Sequence, residues 1–165
     1  MSSAKISAAE VLQRLNAEHL TLCTAESCTG GLVGKLITDV PGASSVYVGG
    51  VISYTNEVKH RVLGVSRDTL EQYTAVSAET AGEMARGARR LLGADIAVSV
   101  TGLAGPDGDG TGRPVGLVYI ALDRAAGCLV QELHLAGDRA AVRGAAAQAI
   151  FALLLEALSN SEECL

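Results

Sequence analysis

Apolar residues recur along the chain in two rhythms, one helical and one of strand length. Ala8, Val11, Leu12 and Leu15 fall at helical spacing behind Ser7 and Glu10, which form a capping box, so a first helix is predicted from about Ser7 to Glu18. Leu20 to Thr24 is a short apolar run and predicts a buried strand. Leu32, Val33, Leu36 and Ile37 return to helical spacing and stop before "DVPGAS", where proline and glycine mark a turn. "SVYVGGVISYT" is β-rich, and its glycines indicate a bulge or a close backbone approach. Ser77 caps an alanine-rich helix that ends near "LLGAD". "IAVSVT" is apolar without alternation, the pattern of a strand covered on both faces in a parallel sheet. "LVYIALD" and "CLVQELHL", separated by "RAAG", predict a hairpin. Asp138 opens a closing helix from about Arg139 to Leu158, and the tail "SNSEECL" is expected to fray.

Helices alternating with strands, plus one terminal hairpin, place the chain in the α/β class as a single α/β/α layered domain around a mixed sheet. The 165 residues, 48% of them hydrophobic, are enough for one domain over residues 1–165 with its core at about 7–158. No internal repeat, linker or low-complexity segment interrupts it. Ligands of open α/β sheets sit beyond the carboxyl ends of the strands. That directs attention to residues 25–31, 54–59 and 101–116.

Charge and composition narrow the ligand. A net charge of −5 and only five aromatic residues, four Tyr and one Phe, argue against nucleic acid as a partner and favour a small molecule. The first twenty residues are amphipathic and charged, unlike an export signal. No apolar stretch approaches the ~20 residues of a membrane span, so no membrane contact and a cytoplasmic location are expected. Cys23, Cys28, Cys128 and Cys164 show neither a C-x-x-C pair nor zinc spacing and read as reduced thiols. Asp107 and Asp109 read as turn formers without further ligands nearby. Neither a metal nor a cofactor is expected.

The segment "TAESCTGG" sets two potential nucleophiles, Ser27 and Cys28, before a glycine pair that opens a helix. Gly30 and Gly31 would let the backbone approach a ligand, and the helix N-terminus would favour an anion or a developing oxyanion. The blander alternative makes Ser27 or Thr29 a helix N-cap. His19, His60 and His134 are the only histidines, and none is placed for a Ser-His or Cys-His arrangement. The chain has three lysines against ten arginines, so Lys59, five residues after Tyr54, goes against its own habit. A desolvated lysine can accept a serine proton and an arginine cannot. Ser27, Tyr54 and Lys59 would together make a hydroxyl nucleophile with a Lys/Tyr proton relay.

These residues carry a family resemblance. "TAESCTGG", "YTNEVKHRVLGV", "AVSAETAGEMARGA", "VTGLAGPDG", "RPVGLVYIAL" and "GDRAAVR" occur in order from about Leu12 to Leu158. They resemble successive segments of the C-terminal domain of competence/damage-inducible protein CinA, a family that includes nicotinamide-nucleotide amidases. Those enzymes hydrolyse nicotinamide mononucleotide to nicotinate mononucleotide and ammonia. The resemblance implies a three-layer α/β/α fold and a serine amidohydrolase in which Ser27 is the nucleophile and Tyr54 and Lys59 move its proton. Thr55 stands where serine is commoner in the family. Cys28 becomes a packing neighbour, and its backbone N–H, with those of Thr29, Gly30 and Gly31, would serve the oxyanion. Asn56, in the tyrosine–lysine segment, is expected at the substrate. Larger family members carry an N-terminal domain resembling molybdopterin-binding proteins, for which this chain has no room, so its pyrophosphatase activity and metal requirement are expected to be absent.

Phosphate recognition would fall to Thr101, Gly102 and Gly105 in the glycine loop, as a backbone nest, and to Arg139 and Arg143, one turn apart at the start of the last helix. "GDGTG" lacks the Gly-Lys-Ser/Thr of a triphosphate loop. A homodimer is expected from the resemblance and the alanine-rich helices. Two alternatives stand beside the serine amidase: a non-catalytic nucleotide-binding module and a cysteine amidase using Cys28.

Overall fold

A computed structural model describes residues 4–160, so Cys164 and most of the predicted fraying tail lie outside the described residues. The elements run α1 (Ala8–Ala17), β1 (Leu22–Glu26), α2 (Leu32–Thr38), a 3-10 turn (Ala43–Ser45), β2 (Tyr47–Ile52), α3 (Asn56–Leu63), α4 (Arg67–Tyr73), α5 (Ala78–Leu92), β3 (Ile96–Gly102), β4 (Leu117–Arg124), β5 (Gly127–His134) and α6 (Arg139–Asn160). One five-stranded sheet in the order β2-β1-β3-β4-β5 holds them together. β2, β1 and β3 are parallel, whereas β4 and β5 form the antiparallel hairpin on the far side.

Side-chain alternation along the central strands builds two covered faces. Leu22, Ile96, Val98 and Val100 join α1, α2 and α6 in one core, and Cys23, Ala25 and Ala97 meet α3 and α5 in another. The result is the three-layer α/β/α arrangement that the hydrophobic pattern predicts. α6 is 22 residues with a mean hydropathy of 1.5 in its most apolar window, long and apolar enough to cross a membrane, contrary to the reading that no such stretch exists. Its residues Val142, Ile150, Phe151 and Leu154 are buried against the sheet, the behaviour of a core helix.

Local boundaries differ from the sequence pattern where backbone contacts override it. β1 begins two residues late, because Leu20 N–H still closes α1 on Leu15 O and the Thr21 N–H and hydroxyl are held by Asp95. Neither Ser27 nor Thr29 caps α2. Its N-cap is Gly31 at φ 104, with no side-chain cap of its own. The hydrophobic pattern does not predict α4, since "RDTLEQY" has only one apolar aliphatic residue and rests on the Ser66 cap. In β2 the register shifts opposite Leu22/Cys23, and a Cβ at Gly50 would lie 2.2 Å from Thr24 Oγ1, so this strand has both a bulge and a close approach.

One glycine sets the position of the site. A Cβ at Gly87 on α5 would stand 1.8 Å from the Leu63 carbonyl at the end of α3, so α3 lies this close to the sheet only because residue 87 has no side chain. Gly87→Ala is expected to cost ~1–3 kcal/mol through overpacking and to lower Tm by ~2–4 °C per kcal/mol, as thermal unfolding will show.

Candidate active site

The chain leaves β1 for β2 on one side, and β3, its neighbour on the other side, continues to β4. The carboxyl ends of β1 and β3 therefore flank the point where strand order reverses, the crevice that open α/β sheets use for ligands. Ser27 is the first residue past β1, with its N–H bonded to Val100 O at 3.0 Å across that crevice. Continuing the strand alternation, Glu26 points to the α2 face and Ser27 to the α3 face.

Thr55 caps α3 through its hydroxyl, which accepts the Val58 N–H, and this starts the helix so that Lys59 falls on its inner side. Lys59 is 1% exposed. Its Nζ lies 2.8 Å from Ser27 Oγ and 2.7 Å from the Ser53 carbonyl. Burial pushes the ammonium down from its ordinary 10.5 to about 8, against a smaller opposing effect from Cys28. A substantial neutral fraction near working pH, aimed at a serine hydroxyl, is what a general base for that hydroxyl requires. Cys28, by contrast, packs in the core beside Val33 and Ile37, and burial raises its thiol to about 11. At neutral pH it stays protonated, which removes the thiolate on which cysteine nucleophiles depend.

Tyr54 is placed differently from a relay between Lys59 and Ser27. It is 58% exposed, and its hydroxyl accepts from Arg139 at 3.1 Å, with no hydrogen bond to either partner among the described residues. Arg139 also donates to Gly105 O at 2.7 Å, and Arg143 donates to Cys28 O at 3.2 Å and Thr29 O at 2.7 Å. The start of α6 thus ties together the turns that follow β1, β2 and β3. These two arginines bring positive charge to the crevice in a chain of net charge −5.

The remaining predicted residues divide. The N–H groups of Thr29 and Gly31 have no acceptor among the described residues, Cys28 N–H faces its own thiol, and Gly30 N–H is bonded to Ser27 O. Thr101 is buried next to Ser27, since the β1–β3 register pairs Glu26 with Val100, and its hydroxyl donates to Ala75 O. Gly102 serves packing, since a Cβ there would meet Leu117 O at 2.7 Å. Asn56 is exposed at the start of α3 and lines a hollow with Glu57, Arg67 and Leu70. Asp109 accepts from Thr111 N–H and Oγ1 in a turn of the glycine loop. A larger cavity of about 500 Å³, between Leu20, Arg89, Ile96 and Arg124, lies at the opposite end of the sheet.

Sequence reasoning missed Glu26 and Ser53. Glu26 occupies the N-terminus of α2 with its own carboxylate, accepting from Val33 N–H at 2.8 Å and Gly34 N–H at 3.0 Å, so that end is not open to a substrate anion. The signal was the period-2 alternation of the strand, which turns residues 26 and 27 to opposite faces.

Fold and site together define a three-layer α/β/α domain with a serine–lysine pair at the switch point of its sheet. The chain belongs to the CinA family, whose CinA C-terminal domain matches residues 4–158. It is 53% identical over 124 residues to a CinA-like protein of Geobacter sulfurreducens, covering 75% of this chain and 30% of that protein. It is 50% identical over 139 residues to a CinA-like protein of Syntrophomonas wolfei, covering 84% and 33%. The chain therefore spans about a third of the length of these curated relatives. Among solved structures, a CinA superfamily protein of Klebsiella pneumoniae superposes with a TM-score of 0.91 at 35% identity, covering 93% of this chain and 96% of that one. The competence/damage inducible protein CihA of Agrobacterium tumefaciens gives 0.86 at 38% identity, covering 96% and 99%.

Proposed function

We propose that the chain is a nicotinamide-nucleotide amidase that hydrolyses nicotinamide mononucleotide to nicotinate mononucleotide and ammonia in pyridine nucleotide recycling, acting in the cytoplasm as a homodimer. The observation that carries the reading is the buried Lys59 amine 2.8 Å from Ser27 Oγ. Family membership and the positive charge at the crevice support it, the latter because the substrate carries a phosphate. Ser27 Oγ attacks the carboxamide carbon as its proton passes directly to neutral Lys59. Backbone N–H groups of the Cys28–Gly31 turn, those of Thr29 and Gly31 being free, stabilise the oxyanion, and one such donor contributes ~3–4 kcal/mol. Lys59 then gives the proton to the departing nitrogen, the C–N bond breaks, and ammonia leaves an acyl-enzyme. Water attacks the ester with Lys59 as base, and the proton that Lys59 takes from this water passes to Ser27 Oγ as the acid leaves. Tyr54 and Arg139 stand at the mouth, where the ribose phosphate would rest against Arg139 and Arg143.

The test is ammonia release from the mononucleotide, its riboside and free nicotinamide. The mononucleotide should be preferred by kcat/KM. Equal rates on all three would refute the phosphate site, and no release from any would refute the amidase. Because neutral Lys59 is the active form, kcat/KM should rise about tenfold per pH unit below an inflection near the lysine's pKa of about 8 and level off above it. A profile flat from pH 6 to 9 would remove the lysine from the proton chemistry.

A further inference from the structure

The polar residues under α2 take no part in the proton transfers above. Glu26 is 2% exposed, yet its carboxylate accepts three hydrogen bonds. Thr29 Oγ1 donates at 2.6 Å, and Thr29 is itself fully buried. The amides of Val33 and Gly34 supply the other two. Room is cleared for this group, because a Cβ at Gly34 would lie 3.4 Å from Glu26 Oε2 and 2.8 Å from Tyr47 Oη. Tyr47 Oη in turn pairs with Thr24 Oγ1 at 2.7 Å.

The main chain of the same residue reaches the other half of the site. Glu26 O accepts the Ser53 N–H at 2.7 Å, and Ser53 O accepts Lys59 Nζ at 2.7 Å. Burying a carboxylate is costly unless its lone pairs are filled, and a seven-residue helix can be capped by an exposed serine, as Ser66 caps α4. A fully buried, triply bonded carboxylate immediately before the nucleophile does more than start a helix. It fastens the Cys28–Gly31 turn from within, through Thr29, and from beyond its end, through the first turn of α2.

We propose that Glu26 is a positioning residue: by anchoring Thr29 and the start of α2, its carboxylate holds the backbone N–H groups of the Cys28–Gly31 turn, with those of Thr29 and Gly31 unpaired, in place beside Ser27, where the oxyanion forms. The inference rests on Ser27 being the nucleophile, and extends that reading to the group that orients its oxyanion donors. Glu26 acts from the face of β1 opposite Lys59, so it governs the rate of attack without setting the proton affinity of the base.

The test uses a fluorophosphonate probe, which needs a competent serine and no knowledge of the substrate. Ser27 Oγ displaces fluoride at phosphorus, a P–O bond replaces P–F, the serine proton passes to Lys59, and intact-protein mass records the adduct. Glu26→Gln keeps the shape but puts an NH₂ where an acceptor is needed. It is expected to slow phosphonylation ~10- to 100-fold, and kcat for ammonia release by a similar factor, the scale set by misplaced oxyanion donors. KM should stay within ~3-fold and the pH inflection should not move, since the base is untouched. Thr29→Val should lose ~10-fold, whereas Thr29→Ser, which keeps the hydroxyl, should recover most of that loss. That pair decides the matter if Glu26→Gln fails to fold.

Glu26→Gln reacting at the wild-type rate would overturn the proposal. So would a shifted pH inflection with unchanged plateau rates, which would make Glu26 a charge acting on Lys59, or a Thr29→Ser as slow as Thr29→Val. A wild-type chain that takes the probe but releases no ammonia from the mononucleotide would refute the substrate and leave the Glu26 assignment standing. A wild-type chain inert to the probe would remove both.

Discussion

Lys59→Arg is expected to lose ~100-fold or more in kcat, the scale of general acid–base catalysis, while still binding the mononucleotide. The substitution keeps the charge and roughly the length. However, an arginine is never deprotonated at working pH, and so cannot take the Ser27 proton. Lys59→Ala should be equally inactive for a different reason, having no base at all. Lys59→Met serves as the folding control, because the site at 1% exposure already accepts an apolar stem. Retention of most of kcat in Lys59→Arg, with loss only in Lys59→Ala, would make residue 59 a fixed positive charge for the phosphate or oxyanion, and the serine–lysine mechanism would fall.

Burial of Lys59 also marks the stability of the folded chain. Its folded pKa of about 8 lies below the ordinary 10.5, so between those values the unfolded chain holds a proton that the folded chain has released. The contribution of this group to stability therefore rises with pH from about 8 to about 10.5 and is least favourable below 8. Urea unfolding of the wild type against Lys59→Met should show the difference growing in favour of the wild type across that window.

Much of this was legible from local pattern. Ser7, Ser77 and Asp138 announce their helices through side chains that accept the amides of residues 10, 80 and 141. "IAVSVT" shows by its lack of alternation that both faces of its strand are covered. Lys59 was legible as chemistry because lysine is rare in an arginine-rich chain. What the pattern could not show was three-dimensional partnering. Tyr54 and Lys59 are five residues apart, but the tyrosine precedes the Thr55 cap and swings outward to Arg139, eighty-five positions away, while the lysine turns inward. Arg139 and Arg143 read as phosphate ligands, yet each also bonds to carbonyls of the crevice turns. Thr101 reads as a hydroxyl open to a ligand, yet it is engaged by Ala75 O although it stands beside Ser27 in the register. Glu26 hid in plain view, because a charged residue at a strand end ordinarily reads as solvated.

On the proposed mechanism Ser27 carries the acyl group and Cys28 beside it does not. In the fold, Ser27 Oγ meets the lysine, while the neighbouring thiol is packed in the core with its pKa at about 11. Ammonia release from nicotinamide mononucleotide, measured side by side for the wild type, Ser27→Ala and Cys28→Ser at pH 8, separates the two most directly. Ser27→Ala should lose ~10⁴-fold or more, the scale seen when a serine nucleophile is removed, with Cys28→Ser within ~10-fold of wild type, as expected of a packing change that leaves the nucleophile in place. Near-normal release by Ser27→Ala, or abolition by Cys28→Ser in a protein that still folds, would contradict that mechanism.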